Sequence, residues 1–410
     1  MAAARAGSGD AAADVRHARR ISPHPRPRPA QPPPHREDRP VSPTARRTLR
    51  SLSVLATLPL LLTACGYGSK SVEDKDGPAA AGGKKIDGLD EVKVGYFANV
   101  THATPLVGLR DGGEIPKELG GTKVGTQVFN AGPSAIEALN AKAVDMTWVG
   151  PSPAINGYTK ANGKNLRIVS GATSGGASLV VNPDKIKSLD DLKGKRIATP
   201  QLGNTQDVAL LNYLKGKGLK VNAETGKGDV SVLRQDNKEI PTTFQQGGID
   251  GAWVPEPTAS NLVAKDGKVL LNEKKLWDKG EFVTTNLVVR QDFLKEHPDV
   301  VEAVVRGSVK TNAWIDEHPD AAKKHINSAL ERDAGKPLPQ KVLDSAFKDI
   351  EVTDDPLAST LKEQAEHGVK AGLLKKFDLK GIYDLSILNR VLKGQGQPAV
   401  EDAGLSSGGN

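Results

Sequence analysis

Three segments of the sequence place a small polar side chain where a helix is predicted to begin. They read G-P-S at Ser134, G-P-S-P at Ser152 and G-N-T at Thr205. The first turn of a helix carries unpaired N–H groups and a positive partial charge, so it binds an anion without a basic side chain. Gly150 and Asn204 stand at the boundaries of two of these helices and join the candidate set. Because serine, threonine and asparagine also cap ordinary helices, the pattern leaves both roles open.

Two tryptophans and one carboxylate form a second set of candidates. Trp148 and Trp253 lie in apolar strands. Trp148 is predicted to be a core residue, whereas for Trp253 the core and a ligand platform are equally open. Glu256 would repel a bare oxyanion, so it fits a ligand that also carries an amine, or a cation on a facing element. The alternative for Glu256 is a first-turn acid stabilised by the helix dipole.

The sequence offers little for catalysis or metal binding. Its one cysteine, Cys65, excludes a multi-cysteine metal site, and its 8 histidines show no H-E-x-x-H spacing. The G-P-S-P-A segment at Ser152 departs from the G-x-S-x-G nucleophile elbow, and no triad partner is recognisable. We therefore predict no catalytic residue, no metal and no cofactor.

The positive net charge belongs to one end of the chain. The 410 residues contain 56 basic and 49 acidic side chains, which gives a net charge of +7. Residues 1–50 hold 11 arginines, no lysine and 4 acids, so 45 basic and 45 acidic residues remain for the rest. The part predicted to fold is electrically balanced, and no nucleic-acid partner is expected.

The apolar run before Cys65 predicts an exported, lipid-anchored chain. S-L-S-V-L-A-T-L-P-L-L-L comes after an arginine-rich segment and is 12 residues long. That is shorter than the roughly 20 residues that span a bilayer and typical of a signal peptide. The run ends in L-T-A-C, which matches the lipobox of bacterial lipoproteins, so Cys65 is predicted to carry the lipid. The predicted segments are a disordered or untranslated leader (1–44), a signal peptide (45–64) and the lipidated cysteine with a flexible tether (65–90).

Strand and helix patterns alternate from residue 92 onward, which predicts an α/β fold with a mostly parallel sheet. Two segments resemble each other: A-V-D-M-T-W-V-G-P-S-P-A and, about one hundred residues later, G-I-D-G-A-W-V-P-E-P-T-A. Each reads as an aspartate, a strand with a tryptophan, and a proline-marked helix start. Two lobes of similar design, with a ligand cleft at the ends of their strands, explain this pattern.

The ordered set of segments resembles one family. F-N-A-G-P-S-A-I-E-A-L, A-V-D-M-T-W-V-G-P-S-P-A, S-L-D-D-L-K-G-K-R-I-A-T, G-N-T-Q-D-V-A-L and G-I-D-G-A-W-V-P-E-P are similar to the nitrate/sulfonate/taurine group of ABC-transporter substrate-binding proteins. The resemblance covers about 92–330 and implies a two-lobe, type II periplasmic-binding-protein-like fold. It implies chain crossings near 175–179 and 284–287, a first lobe of 92–177 plus 286–393 with C-terminal helices, a second lobe of 178–285, and a tail of 394–410.

The resemblance also implies a function and further contacts. The family tends to place ligand contacts after the first strand, here at Asn99, Thr101 and His102. The chain is then expected to be a monomeric extracytoplasmic lipoprotein that binds a small sulfonate or related anion and delivers it to ABC permease subunits. Taurine, a zwitterion, as well as nitrate, bicarbonate or a thiamine-precursor pyrimidine, are alternative ligands. A sensor module remains open, whereas thiamine-pyrimidine synthases of the same fold rely on a cysteine-rich motif that this chain lacks.

Overall fold

The computed structural model describes residues 85–375 and 377–407. The predicted leader, the signal peptide and the lipidated Cys65 lie outside these ranges. Within them, no helix has both the length and the hydropathy to cross a membrane. Residues 86–88 form a short 3-10 turn, and the backbone N–H of Ile86 donates to Oγ1 of Thr122 at 3.1 Å. The end of the predicted tether therefore already contacts the folded part of the chain.

Eleven strands lie in the described ranges. They are β1 Glu91–Phe97, β2 Lys123–Phe129, β3 Met146–Val149, β4 Leu166–Gly175, β5 Ala177–Val181, β6 Arg196–Thr199, β7 Ser231–Arg234, β8 Gly251–Pro255, β9 Lys268–Asn272, β10 Val283–Arg290 and β11 Ile350–Val352. The side chains of β3, β4, β5, β6, β8 and β10 are buried along nearly the whole strand, on both faces, as expected for sheets covered by helices. The sequence interpretation did not include β2, β9 or β11.

The same ranges contain thirteen α-helices. They are α1 Ala103–Gly108, α2 Glu114–Leu119, α3 Gly132–Asn140, α4 Pro151–Lys160, α5 Thr205–Gly216, α6 Ile240–Gln245, α7 Thr258–Val263, α8 Gln291–Glu296, α9 Pro298–Glu317, α10 Pro319–Ala334, α11 Gln340–Asp349, α12 Ala358–Ala371 and α13 Ser386–Gly394. Proline stands in the first turn of several of them, including α3 and α4. Its missing N–H costs nothing there, and its fixed φ suits the helix start.

The strands form two sheets of related topology. One has six strands in the order β11-β4-β10-β3-β1-β2, and the other has five in the order β7-β6-β8-β5-β9. In the first, β1 pairs in parallel with β2 and β3; in the second, β6 pairs in parallel with β7 and β8. Each sheet also holds an antiparallel strand, β10 or β5, that comes directly after the chain leaves the other sheet.

This arrangement confirms the predicted α/β, two-lobe fold of type II. The sheets are mixed, however, and the expectation of a mostly parallel sheet was wrong. The physical reason is the crossing itself. A strand that enters from the other lobe runs back against its neighbours, so β10 is antiparallel to both β3 and β4. Alternating strand and helix patterns in the sequence do not reveal the direction of such a strand.

The chain crosses between the sheets at two places. The first is Gly175-Gly176, between the end of β4 and the start of β5. Both glycines have positive φ, 73° and 72°, a conformation that other residues rarely adopt. The chain returns between Asn272 and Val283, because all of β10 pairs within the six-stranded sheet. The return therefore precedes the segment 284–287 that the sequence pattern suggested.

The two similar sequence segments occupy equivalent places in the two sheets, at β3–α4 and at β8–α7. Their aspartates make the same kind of connection. One carboxylate oxygen of Asp145 accepts the backbone N–H of Lys93 at the start of β1, at 2.9 Å. One carboxylate oxygen of Asp250 accepts the backbone N–H of Arg196 at the start of β6, also at 2.9 Å. Asp145 therefore connects β3 to β1, and Asp250 connects β8 to β6 in the same way.

Helix α12 connects the lobes at a third place. It packs against α4 beside the six-stranded sheet and against α5 beside the five-stranded sheet. Leu361 and Ala365 belong to the apolar core of the first lobe, and Ala371 belongs to a core of the second. Together with the two crossings, α12 holds the lobes close enough for their strand ends to face a common cleft.

Candidate functional site: a neutral cleft beside three helix starts

A cavity of about 370 Å³, part of it open to solvent, lies between the two lobes. The first lobe, with β10, contributes Phe97, Asn99, Thr101, His102, Asn130, Ala131, Gly132, Gly150, Pro153, Thr284 and Thr285; the second contributes Asn204, Thr205, Gln206, Asn237 and Pro255. None of these described lining residues is a lysine, arginine, aspartate or glutamate. The cavity combines amides, hydroxyls and one imidazole with the apolar surfaces of Phe97 and two prolines.

Three helices begin at this cavity. Ala131 is the N-cap of α3, Gly150 of α4 and Asn204 of α5. The helices contain 9, 10 and 12 residues, so each has a full first turn of N–H groups and a macrodipole. Three such ends around one space create a positive potential without a positively charged side chain. This electrostatic environment suits an anion.

The first-lobe helices leave their starts uncapped. Among the described residues, no side chain caps α3 or α4 with a hydrogen bond. Prolines occupy N2 of α3 and both N1 and N3 of α4, so they remove N–H groups from each first turn. The remaining donors near the cavity are those of Gly132 and Gly150 and their neighbours. The first turns of α3 and α4 therefore keep a small number of backbone donors that no described side chain caps.

The second-lobe helix start is fixed by a buried carboxylate. Asp207 is fully buried and accepts Oγ1 of Thr199 at 2.7 Å and the N–H of Gly203 at 3.0 Å. Nε of Arg234 donates to the same carboxylate at 2.9 Å. The backbone N–H of Asp207 in turn donates to Oδ1 of Asn204 at 2.9 Å. Asp207 therefore holds both the loop before α5 and the cap of the helix.

His102 is an uncharged side chain in this cavity. It is 3% exposed, and its ring lies 4.3 Å from that of Phe97 between centroids. Burial lowers the pKa of His102 to about 3, so the imidazole is neutral at physiological pH. Its Nδ1 lies 3.3 Å from Oγ1 of Thr101, and a backbone contact with Trp148 opposes the effect of burial on the pKa; Nε2 has no partner within full hydrogen-bond geometry among the described residues. A neutral imidazole therefore presents one hydrogen-bonding nitrogen.

Two further buried polar atoms at the cavity also lack a partner in the described part of the chain. They are Oγ1 of Thr205 and Oδ1 of Asn237. Buried polar groups are normally paired, and each unpaired one costs free energy. Three such atoms around one cavity, with Nε2 of His102 as the third, are typical of a site that hydrogen-bonds a polar ligand.

The structure brings five of the nine predicted ligand contacts to the cavity. Asn99, His102, Gly150, Asn204 and Thr205 all line it. Ser134 and Ser152 lie in the first turns of α3 and α4 but are not among the lining residues. At these two helix starts, the residues nearest the space are the glycines and not the serines.

Trp253 and Glu256 do not line the cavity either. Trp253 is fully buried, and its Nε1 donates to Oε2 of Glu273 at 2.7 Å, which makes it a core residue. Glu256 is 4% exposed and accepts both the N–H and Oγ of Ser260 at 3.0 Å. The carboxylate therefore caps the first turn of α7, which is the simpler of the two roles considered for it. Burial raises the pKa of Glu256 to about 7.

Sequence reasoning missed the contribution of β10 and of the β2–α3 turn. Thr284 and Thr285 line the cavity, and Oγ1 of Thr285 donates to the carbonyl of Thr101 at 2.9 Å. Asn130 lines it as well, and its Nδ2 donates to Oδ2 of Asp236 in the second lobe at 3.2 Å. The T-T-N segment of β10 was a usable signal, since polar residues in an otherwise apolar strand are unusual.

The two lobes face each other across a polar cleft, and each sheet contains an antiparallel strand that follows a crossing from the other lobe. This arrangement is the fold of a solute-binding protein. The sequence profile of the NMT1-like family matches residues 87–330, more than half of the chain. The chain therefore belongs to the NMT1-like family.

Two curated relatives are similar to this chain in sequence, and a solved structure is similar to it in fold. The taurine-binding periplasmic protein of Escherichia coli is 31% identical over 239 residues, which cover 58% of this chain and 72% of that protein. A putative aliphatic sulfonates-binding protein of Bacillus subtilis is 26% identical over 355 residues, 84% of this chain and 97% of that one. The alkanesulfonate-binding protein SsuA from Xanthomonas axonopodis pv. citri, solved with bound MOPS, superposes with a TM-score of 0.58 at 21% identity, covering 70% of this chain and 95% of that one.

Proposed function

We propose that this protein captures a small alkanesulfonate in the cleft and delivers it to the permease of an ABC importer. The observation that carries the proposal is the meeting of three helix starts around a cavity whose described lining holds no charged side chain. A sulfonate keeps its negative charge at all physiological pH values and spreads it over three oxygens. Backbone N–H groups from several helices can each bind one of them.

The apolar part of the lining supports a ligand with an alkyl group. Phe97, Pro153 and Pro255 add hydrocarbon surface beside the polar groups. Sulfate and nitrate have no part that would use this surface, whereas an alkanesulfonate buries its chain there. We therefore rank alkanesulfonates above the inorganic anions that the sequence left open.

The lining also bears on the ammonium group of taurine. Glu256, which the sequence offered as a partner for an amine, is occupied by Ser260 and lies outside the cavity lining. A buried ammonium without a carboxylate pays a desolvation cost that no charge offsets. We infer that ethanesulfonate binds more tightly than taurine, although a taurine-binding protein is among the relatives.

Calorimetry and thermal unfolding with ethanesulfonate, taurine, sulfate and nitrate test this proposal. A ligand at one hundred times its Kd should add about 2.7 kcal/mol to the free energy of unfolding. Thr205→Ala should weaken ethanesulfonate binding about fivefold through the loss of one hydrogen bond. Thr126→Ala, at an exposed position of β2, is the matched control and should leave the affinity unchanged. No effect of any of the four anions would refute the substrate class, and tighter binding of taurine would refute the ranking.

We further propose that the chain acts outside the cytoplasm as a lipid-anchored monomer, without breaking a bond in its ligand. The L-T-A-C segment that ends at Cys65 supports the anchor. Metabolic labelling with a fatty acid should mark the wild-type chain and not Cys65→Ser. Ethanesulfonate recovered unchanged after prolonged incubation supports binding without catalysis. Uptake of the sulfonate that depends on this protein and on a permease would separate transport from a sensor role.

A further inference from the structure

Gly150 and Thr205 face each other across the cleft, one from each lobe. Gly150 is the N-cap of α4, and Thr205 is the first residue of α5. A methyl carbon placed on Gly150 would lie 2.4 Å from Oγ1 of Thr205. That distance is far inside van der Waals contact, so a threonine of the second lobe fills the space beside a glycine of the first.

The need for glycine at position 150 is steric and comes from the second lobe. The φ and ψ of Gly150 are −67° and 157°, which any residue adopts without strain. Apart from Oγ1 of Thr205, the nearest atoms to a methyl carbon there are Cβ of Thr205 and the carbonyl oxygen of Thr284, each at 3.5 Å. Both of these are ordinary contacts. A methyl group at position 150 therefore fits its own lobe and collides only with Oγ1 of Thr205 in the other.

The surroundings of Thr205 limit how the collision can be relieved. Thr205 is 7% exposed, and as a β-branched residue it has few χ1 rotamers available. The carboxylate of Asp207, which is itself held by Arg234, fixes the loop that leads into α5. With both helix starts held, a side chain at position 150 gains room either by a χ1 rotation of Thr205 or by movement of the lobes apart, and an interlobe distance distinguishes the two.

We propose that Gly150 is the residue that permits full closure of the two lobes. Closure brings the start of α5 against the start of α4, and Asn130 then meets Asp236 at 3.2 Å. A residue larger than glycine at position 150 holds the cleft partly open. The inference rests on the proposed function only in the consequence that an open cleft holds its solute less tightly.

An interlobe distance measured without any added solute tests the closure directly. Cys65→Ser removes the one native cysteine of the full chain. Two exposed residues, Glu137 on α3 and Glu239 before α6, are then replaced by cysteine, and spin labels attach only there. Gly150→Ala should shift the distance distribution toward longer values. Gly216→Ala on α5 is the matched control, because a methyl carbon there meets only Nζ of Lys370, at 3.7 Å. An unchanged distribution for Gly150→Ala would overturn the proposal.

A compensating substitution distinguishes a collision between position 150 and Thr205 from a general folding defect. Thr205→Ala removes Oγ1, so Gly150→Ala with Thr205→Ala should recover the short distance, while Thr205→Ala alone should keep it. If the double variant stays open, the collision is not the cause and the proposal fails. Should Gly150→Ala fold poorly, Thr205→Leu places extra volume against the unaltered Gly150, and its distance should also lengthen.

The affinity for ethanesulfonate tests the functional consequence of a cleft that stays partly open. If the closed fraction falls to about one tenth, the apparent Kd rises about tenfold, and the dissociation rate should carry most of that change. The double variant should return to the affinity of Thr205→Ala. If wild type binds none of the anions, the proposed function fails, whereas the distance measurement still decides whether Gly150 controls closure.

Discussion

The turn from β3 to α4 in the first lobe and the turn from β8 to α7 in the second occupy equivalent places, and their aspartates make equivalent hydrogen bonds. They differ in the residues that come after the strand. The first continues with Gly150 and two prolines, and no described side chain caps α4. The second continues with Glu256, whose carboxylate caps α7 through Ser260.

Under the proposed function, this contrast decides which of the two helix starts receives the anion. A helix start that is capped by a carboxylate of its own lobe has fewer N–H groups to offer an anion, and the carboxylate adds a negative charge when ionised. A start without a side-chain cap keeps its donors for a ligand. The second lobe therefore contributes to the cleft through a different helix, α5, whose position depends on the buried pair of Asp207 and Arg234.

The largest effect is expected from the support of α5. Asp207→Ala leaves Arg234 without its buried partner and frees the loop at Gly203, so it should cost about 3–5 kcal/mol of unfolding free energy. Urea denaturation measures this loss. Asp207→Asn keeps the shape of the side chain and should cost less unfolding free energy than Asp207→Ala. A cost below about 1 kcal/mol for Asp207→Ala would mean that α5 does not depend on this pair.

A second test asks whether Glu256 is only a helix cap. Burial raises its folded pKa from 4.5 to about 7, so its favourable contribution is complete below pH 4.5 and is lost as the pH rises through about 7. Glu256→Gln should therefore become more stable relative to wild type between pH 5 and pH 8, by up to about 3 kcal/mol. The unfolding free energies of wild type and Glu256→Gln, measured at several pH values, test this trend. The affinity of Glu256→Gln for ethanesulfonate should equal that of wild type, and a large change would show that Glu256 contacts the ligand.

His102 tests the first-lobe side of the cleft. His102→Phe keeps an aromatic ring beside Phe97 and removes the unpaired Nε2, so affinity for ethanesulfonate should fall by about 1 kcal/mol, roughly fivefold. Because the folded pKa of His102 is about 3, wild-type affinity should not vary between pH 5 and pH 8. Calorimetry across this range checks both. An affinity that changes with a midpoint near pH 6.5 would show that the imidazole is charged in the free protein.

The smallest effect is expected for the serine after Gly150. Ser152 is absent from the cavity lining, so Ser152→Ala should change ethanesulfonate affinity by less than about twofold. Ser260→Ala, in the first turn of α7 in the second lobe, should instead cost about 1 kcal/mol of stability by removing a hydrogen bond to Glu256. A strong loss of affinity in Ser152→Ala would show that the serine hydroxyl reaches the ligand.

Local patterns in the sequence indicated the helix starts and several of the strands. Thr205 was predicted as the start of a helix, and α5 begins there. Asn204 and Gly150 were named from the same patterns, and both line the cavity. The strand β10 and the residues of the β2–α3 turn were missed because their relevance depends on the crossing between lobes. The direction of β10 in its sheet, which local patterns do not encode, brings Thr284 and Thr285 to the cavity.

The helix starts could be predicted from the sequence because they depend on short-range patterns, and the resemblance of an ordered set of segments implied the family and the two-lobe fold. Which of those starts are free depends instead on tertiary contacts. Glu256 and Trp253 appear beside the site in sequence but turn into their own lobe, where Ser260 and Glu273 are their partners. The same holds for Gly150, whose role depends on a threonine more than fifty residues away that closure brings within contact.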